Sequence, residues 1–128
     1  MKKILIVDDE DVVRTPLIKY IGKNGYSTLE AESGERGLDL AIREVPDLIL
    51  TDRSMPPGMN GFELCRRLRL DDKTKDVIII GSTGDLDPSG GDEYRIGFLE
   101  AGADDFIQKP YRFPEILQMI NGYLGSGQ

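Results

Sequence analysis

The stretch Asp47-Leu48-Ile49-Leu50-Thr51-Asp52 is an apolar run that ends abruptly in a carboxylate, and the breaker-rich segment MPPGMNG follows it at residues 55–61. An apolar run of this length between turn residues predicts a buried β-strand. An acid at the carboxyl end of such a strand is a candidate for an active site. Taken alone, Asp52 is better explained as a cap of the next helix or as a solvated strand end. Its role therefore depends on what the rest of the chain brings to the same place.

Apolar runs of strand length alternate with amphipathic helical patterns five times along the chain, which is typical of a parallel sheet covered by helices. Strands are predicted at residues 4–7, 26–31, 47–52, 77–80 and 105–108, and helices at 12–23, 34–43, 61–70, 92–101 and 113–124. The predicted fold class is therefore α/β, a doubly wound, flavodoxin-like parallel sheet of five strands in the order 2-1-3-4-5, flanked by five helices.

Local features of the helices add details that a structure can test. Pro16 interrupts the first helical pattern, so either Thr15 caps a later start or the helix is kinked there. Ser33 is the predicted N-cap of the second helix. The residues expected to face the sheet from that helix are Leu38, Ala41 and Ile42. The basic cluster of the third helix is predicted to be a solvated face and comprises Arg66, Arg67 and Arg69.

Length and composition indicate one ordinary globular domain. The 128 residues are predicted to form a domain at 1–124 with a short tail at 125–128. With 16 basic residues against 23 acids and a net charge of -7, direct nucleic-acid binding is not expected. No apolar stretch approaches the roughly 20 residues of a membrane helix, so no membrane contact and a cytoplasmic location are predicted.

The inventory of reactive side chains excludes several kinds of chemistry. Cys65 is the only cysteine, so an intrachain disulfide is excluded, and the chain contains no histidine. The lack of histidine removes Ser-His and Cys-His catalysis, the usual imidazole base and the commonest zinc ligand. Any chemistry must therefore use carboxylates, hydroxyls, lysine or a hard metal ion.

Reactive side chains follow several of the predicted strands. If the βαβ crossovers have the usual right hand, all carboxyl ends lie at one edge of the sheet. Asp8, Asp9, Asp52, Thr83 and Lys109 then share that edge. Each pair of carboxylates there would repel by about 4 kcal/mol at an effective dielectric constant of about 20. A hard cation and Lys109 are the available means of compensation.

Magnesium is the cation that fits this predicted site. Mg²⁺ prefers oxygen ligands and usually takes one or two carboxylates together with a phosphate. A carboxylate can accept a phosphoryl group to form an acyl phosphate without a general base. Asp52 would then attack the phosphorus, Mg²⁺ would hold Asp9 and the phosphoryl oxygens, and Lys109 with the Thr83 hydroxyl would stabilise the charge of the product.

Five ordered motifs carry a resemblance to a known family. They are ILIVDDED at the first strand, LILTD at the third, MPPGMNG after it, the hydroxyl end of the fourth, and GADDFIQKPY at the fifth. With these motifs the chain resembles a response-regulator receiver domain of two-component signalling systems, over essentially its whole length. The resemblance implies that a histidine kinase or phosphotransfer protein phosphorylates Asp52. It also implies a Mg²⁺ site formed by Asp8, Asp9, Asp52 and the backbone carbonyl of Ser54.

The resemblance further implies how the signal is read. The face made by helix 4, strand 5 and helix 5 would change through the hydroxyl of Thr83 and an aromatic switch at Phe106, with Ser82 as the alternative hydroxyl. The Lys109-Pro110 bond is expected to be cis. The chain would assist only its own phosphorylation and dephosphorylation. Its output would be a downstream effector protein or an output domain outside this chain. The chain would then be either a stand-alone receiver or part of a longer regulator. The resemblance also allows a phosphorylation-dependent dimer.

The sequence also departs from the family pattern, and other functions compete. Pro57 and Gly58 put two residues where the family has one, and the loop at 85–91 is unusually long and is predicted to be mobile. A Mg²⁺-dependent phosphohydrolase is one alternative, although Asp8 with Glu10 matches its acid pair poorly. A receiver-like binding module that phosphorylation does not regulate is another. An FMN binder shares the fold class, but STGD at 82–85 is too short for a phosphate loop.

Overall fold

The structure is a computed structural model that describes residues 1–125 of the chain. Strands and helices alternate along it without exception. The elements are β1 (Lys3–Val7), α1 (Asp11–Lys23), β2 (Ser27–Ala31), α2 (Gly34–Glu44), β3 (Leu48–Asp52), α3 (Gly61–Leu70), β4 (Ile78–Thr83), α4 (Glu93–Ala101), β5 (Asp105–Gln108) and α5 (Phe113–Leu124). Residues 126–128 of the predicted tail lie outside the described residues.

The five strands form one parallel sheet in the order β2-β1-β3-β4-β5, which confirms the predicted fold class. The register pairs Val7 with Thr51 and Asp52 with Ser82, so β1, β3 and β4 end beside one another. The first and third strands are neighbours although β2 lies between them in the sequence. This switch in strand order opens a crevice at the carboxyl edge of the sheet.

Apolar side chains cover both faces of the sheet, because successive residues of a strand point to opposite sides. One core lies under α2, α3 and α4 and includes Leu5, Ile49, Ile79, Leu40, Leu64 and Phe98. The other lies under α1 and α5 and includes Ile4, Ile6, Leu50, Leu17, Ile21, Ile116 and Ile120. Every residue of β3 is buried, as the apolar run that ends at Asp52 predicts.

Two glycines allow helices to approach the sheet closely near the carboxyl edge. A Cβ atom on Gly81 would collide with the ring of Phe98, and one on Gly61 would collide with the backbone carbonyl of Asp52. Phe98 is fully buried and packs edge-on against Phe62, with ring centroids 4.8 Å apart. These contacts hold α3 against the end of β3, which carries Asp52, and α4 against the neighbouring strand β4.

The first helix begins before Thr15, the residue that one of the two sequence-based alternatives makes its cap. It starts at Asp11 and contains Pro16, so the later start is wrong. Arg14 explains the early start, because its buried guanidinium donates to the backbone carbonyl of Asp8 and to the carboxylates of Asp11 and Glu30. These contacts fix the first turn although proline removes one backbone hydrogen bond later in the helix.

The buried face of α2 is rotated relative to the prediction. Leu40 and Ala41 are buried against the sheet, whereas Leu38 and Ile42 are only half-buried. Leu38 and Ile42 instead border a groove shared with α3. The prediction is wrong for Ile42, whereas Leu38 packs against the core but is only partly buried, because α2 packs against a neighbouring helix as well as against the sheet. Ser33 is confirmed as the N-cap, since its hydroxyl accepts the backbone N–H of Arg36.

Arg69 is not part of a solvated basic face. Its guanidinium donates to the backbone carbonyls of Gly102 and Val77 and pairs with Asp104 at 2.9 Å. The other two arginines of the cluster are exposed, as predicted. Arg69 therefore joins α3 to the loops before β4 and β5. Its role depends on partners that are distant in the sequence.

Within the described residues, no helix has both the length and the apolar character needed to cross a membrane.

Candidate functional site

A pocket of about 200 Å³ opens where β1, β3 and β4 end. β4 continues through Thr83 instead of ending at Ile80 as predicted, because its last residues pair with β5, Thr83 opposite Gln108. The pocket is lined by Asp9, Glu10, Asp52, Ser54, Thr83, Gly84 and Asp85. Sequence reasoning anticipated four of these side chains or backbone groups, at positions 9, 52, 54 and 83.

The acids at the carboxyl edge form one tight cluster. Carboxylate oxygens of Asp8, Asp9, Glu10 and Asp52 all lie within 4.8 Å of one another. Asp8 and Asp52 are buried, whereas Asp9 and Glu10 are exposed. Glu10 is a fourth acid beyond the three predicted to converge. Its backbone N–H donates to Asp8 Oδ1 at 2.9 Å, which turns the chain after β1 so that Glu10 joins the cluster.

Lys109 projects into this cluster from the end of β5. Its Nζ atom lies 2.7 Å from Asp8 Oδ2 and 3.6 Å from Asp52 Oδ1. Burial disfavours the charged ammonium, but the hydrogen bond that Lys109 donates to Asp8 and the charge of Asp52 outweigh this effect and raise the pKa of Lys109. Lys109 therefore stays a cation between the two buried acids. The Lys109-Pro110 peptide bond is cis, as the resemblance implies.

Asp52 is 8% exposed, and its Oδ1 atom accepts the backbone N–H of Arg53 at 3.0 Å. Burial is the main reason that its pKa rises from 3.8 to about 6. The charge of Lys109 opposes this rise, and the negative charge of Asp8 adds to it. Asp52 is thus an acid held in a setting that destabilises its charged form.

The two candidate hydroxyls occupy different places. Thr83 lines the pocket and its Oγ1 atom accepts the backbone N–H of Asp85 at 3.1 Å. Ser82 Oγ is buried without a hydrogen-bond partner among the described residues, and it is not part of the pocket wall. The geometry therefore favours Thr83 over Ser82 as the hydroxyl that faces Asp52.

Phe106 lies apart from the pocket, on the strand next to α4. Its ring is half-buried and its centroid is 5.9 Å from that of Phe98. Phe98 in turn contacts Phe62 of α3. A row of three aromatic rings therefore runs from β5 beneath α4 to α3.

Arg53 is a prominent residue that sequence reasoning missed. Its guanidinium pairs with Asp85 at 2.6 Å, contacts Thr83 Oγ1 at 3.4 Å and stacks over the ring of Tyr94 at 4.0 Å from the centroid. Its position directly after Asp52 was the available signal. Two of its partners, Asp85 and Tyr94, however, lie in and after the irregular loop that follows β4, which has no periodicity to place them.

The donor set of the pocket fits a hard divalent cation. The cluster offers carboxylate oxygens only, two of its acids face solvent, and Lys109 is the cation that contacts its two buried acids. Four carboxylates against this lysine leave excess negative charge, which an oxygen-loving cation would offset. Mg²⁺ is therefore compatible with the residues present.

The fold and the pocket together define a class: doubly wound α/β proteins with an acidic, lysine-containing pocket at the point where the strand order switches. A sequence profile of the response regulator receiver domain matches residues 4–121, and the chain belongs to this family. Receiver domains are components of two-component response regulators and are signalling switches, not enzymes in the usual sense. The resemblance predicted from the five motifs is confirmed.

Relatives of known name agree with this assignment. The chain is 40% identical over 123 residues to the phosphate regulon transcriptional regulatory protein PhoB of Pseudomonas aeruginosa, covering 96% of this chain and 52% of the relative. It is 37% identical over 123 residues to sporulation initiation phosphotransferase F of Bacillus subtilis, covering 96% and 94%. The chain thus spans about half the length of PhoB and nearly the whole of the phosphotransferase.

Solved structures agree as well. A response regulator from Chloroflexus aurantiacus superposes with a TM-score of 0.86 at 33% identity, covering 96% of this chain and 97% of that one. The chemotaxis protein CheY4 of Vibrio cholerae gives a TM-score of 0.86 at 27% identity, covering 96% and 98%. The match extends over nearly the whole length of both structures.

Proposed function

We propose that this receiver domain is a phosphoacceptor switch of a two-component phosphorelay, with Asp52 as the residue that accepts the phosphoryl group. One observation carries the proposal: Asp52 ends a buried strand and borders the pocket, within 3.6 Å of Lys109 and among the clustered acids. A carboxylate in this position has an open approach from solvent on one side and a compensating cation on the other.

The proposed reaction transfers a phosphoryl group from a phosphohistidine. An oxygen of Asp52 forms a bond to phosphorus while the phosphorus–nitrogen bond to the imidazole of the donor breaks, and the nitrogen keeps the electron pair. The pKa of Asp52, about 6, leaves most of the carboxylate ionised at neutral pH, so the nucleophile needs no base. Lys109 and the Thr83 hydroxyl would stabilise the negative charge of the acyl phosphate.

Receiver domains generally bind Mg²⁺ at an acidic pocket, and we propose the same here. The proposed ligands are the carboxylates of Asp8, Asp9 and Asp52 and the backbone carbonyl of Ser54. When bound, Mg²⁺ neutralises charge on the phosphoryl oxygens and on the acids around them. Residues of the chain hold the nucleophile in place, because Lys109 bridges Asp8 and Asp52 and the backbone N–H of Arg53 donates a hydrogen bond to the Asp52 carboxylate.

The phosphorylated state would be read on the face formed by α4, β5 and α5. Thr83 ends β4, and Phe106 packs against Phe98 of α4, so a movement of the hydroxyl and the ring would alter that face. Receiver domains interact with histidine kinases and output domains. The partners we propose for this chain, which we place in the cytoplasm, are a histidine kinase or phosphotransfer protein and an effector or output domain. Phosphorylation-dependent dimerisation and self-catalysed dephosphorylation belong to the same proposal.

Acetyl phosphate provides the test, because a receiver can accept its phosphoryl group without a kinase. Incubation with Mg²⁺ should add one phosphoryl group to the intact mass, and Asp52→Asn should abolish the gain. Asp72→Asn, at an exposed position outside the pocket, is the matched control and should keep it. An unchanged mass of the wild type under conditions that label a known receiver would refute the proposal.

The same purified protein and its variants distinguish the switch from the two alternative functions, a phosphohydrolase and an unregulated binding module. Steady hydrolysis of a small phosphoester that is lost in Asp8→Asn but kept in Asp52→Asn would favour a phosphohydrolase. A binding module that phosphorylation does not regulate should show no Mg²⁺-dependent NMR shifts around Asp52 on addition of beryllofluoride, whereas a switch should show them.

A further inference from the structure

The pocket is also lined by an acid that does not belong to the cluster at its base. Asp85 lines the pocket at its rim, on the loop after β4, and its side chain is 63% exposed. A carboxylate at this place would repel an incoming phosphoryl dianion. The guanidinium of Arg53 is 2.6 Å away and cancels that charge.

Arg53 is held in place by contacts on two sides. Its guanidinium stacks on Tyr94 of α4, 4.0 Å from the ring centroid, and its side chain is only 21% exposed. The ring leaves the guanidinium little freedom to leave Asp85, because arginine packs flat against aromatic faces. The loop before α4 is itself ordered by Asp87, whose carboxylate accepts the backbone N–H groups of Ser89 and Tyr94.

The same guanidinium also acts on the hydroxyl of the pocket. Thr83 Oγ1 accepts the backbone N–H of Asp85 at 3.1 Å and Arg53 Nε at 3.4 Å. A hydroxyl oxygen has two lone pairs and one proton. With both lone pairs facing donors, the proton of Thr83 is directed elsewhere and is free to be donated inside the pocket.

We propose that Arg53 is a positioning residue of the phosphorylation pocket, which neutralises Asp85 at the rim and orients the Thr83 hydroxyl as a donor to the phosphoryl group. This inference rests on the proposed function, since it assumes that Asp52 is the phosphoacceptor. The backbone N–H of Arg53 contacts the Asp52 carboxylate, but its side chain does not contact the reacting atoms. It acts through Asp85 and Thr83, which do line the pocket.

The reaction that reports on this role is phosphorylation by acetyl phosphate. An Asp52 oxygen forms the new bond to phosphorus, the phosphorus–oxygen bond to acetyl breaks, and acetate leaves with the electron pair. Arg53→Gln leaves Asp85 uncompensated where the dianion enters, so the rate should fall about 10-fold. Adding Asp85→Asn to Arg53→Gln removes the repulsion and should restore the rate to within about 3-fold of the wild type.

Three further measurements separate positioning from a structural role. The defect of Arg53→Gln should shrink as ionic strength rises, because salt screens the charge of an exposed carboxylate. Arg53→Lys keeps the charge and should retain more of the rate than Arg53→Gln does. NMR spectra without Mg²⁺ and donor should show shifts at Thr83 and at the backbone amide of Asp85 in Arg53→Gln, which tests the contacts without any reaction.

The surface pair Arg36 and Asp39, 3.1 Å apart on α2, provides matched controls, and Arg36→Gln and Asp39→Asn should phosphorylate at the wild-type rate. A wild-type rate in Arg53→Gln, with labelling still abolished by Asp52→Asn, would overturn the inference and leave the proposed function intact. A defect that persists unchanged in the double variant and in high salt would also overturn it. Lack of any labelling of the wild type would remove the proposed function and this inference with it.

Discussion

Asp52→Asn should stabilise the protein at neutral pH when divalent cations are absent. Burial raises the pKa of Asp52 from 3.8 to about 6, a rise of roughly two units. One pKa unit corresponds to about 1.36 kcal/mol, so ionising this carboxyl costs the folded state about 3 kcal/mol. Because Asp52 is 8% exposed, solvent screens little of this effect. Asparagine has a similar shape and removes the charge.

The pH dependence of the stability gained by Asp52→Asn follows from the direction in which the pKa of Asp52 is shifted. The folded pKa lies above the unfolded one, so the stability contributed by Asp52 is present below about pH 4 and is lost as pH rises through about 6. The free energy of unfolding of Asp52→Asn should therefore equal that of the wild type at the acidic end of this range. At pH 7 the free energy of unfolding of Asp52→Asn should exceed that of the wild type by about 3 kcal/mol.

Urea denaturation at a series of pH values, with a chelator present, measures this difference directly. Asp72→Asn is the matched control and should follow the wild type at every pH, because Asp72 is exposed on the turn after α3. Mg²⁺ should narrow the gap between the wild type and Asp52→Asn by stabilising the wild type more. Equal stabilities of the two proteins at pH 7 in chelator would refute the reasoning that burial destabilises the ionised carboxylate.

Three further predictions concern the fold and the metal site. Gly81→Ala should lower the free energy of unfolding by about 1–3 kcal/mol, because the added methyl group collides with the ring of Phe98. Gly22 has open space around it, so Gly22→Ala should change the free energy of unfolding little or raise it. Thermal melts of the two variants provide the comparison. Asp9→Asn should weaken Mg²⁺ binding in calorimetry and leave the melting temperature in chelator nearly unchanged, since Asp9 is exposed. Tyr26→Phe should cost about 1 kcal/mol in urea denaturation, because the buried ring loses its hydroxyl bonds to α5 and to the chain just after it.

The fold could be predicted because the sequence patterns that specify it are local. The continuous apolar run at 48–50 and the strand-helix alternation specify a parallel sheet, and the strand order follows from how such units are wound. The errors occur where distant contacts override local preference. Gly81 and Thr83 belong to a strand because β5 pairs with them, and Pro16 stays inside α1 because Arg14 fixes the first turn.

The acids and the lysine of the site could be predicted for a topological reason. Asp8 and Lys109 each follow a parallel strand and Asp52 ends one, and the carboxyl ends of such strands meet at one edge of the sheet. The resemblance favours Thr83 as the pocket hydroxyl but leaves Ser82 as an alternative. Both end the same strand, and only the direction of each side chain in the folded sheet decides which one lines the pocket.

The sequence by itself therefore determined which residue types reach the carboxyl edge and the class of protein to which the chain belongs. The tertiary structure alone decided how those residues are paired and how deeply they are buried. It places Lys109 closer to Asp8 than to Asp52, raises the pKa of Asp52, and brings Arg53 against Asp85. The physical reason is that periodicity encodes which face of an element is buried, whereas ion pairs and desolvation depend on distances between segments far apart in the chain.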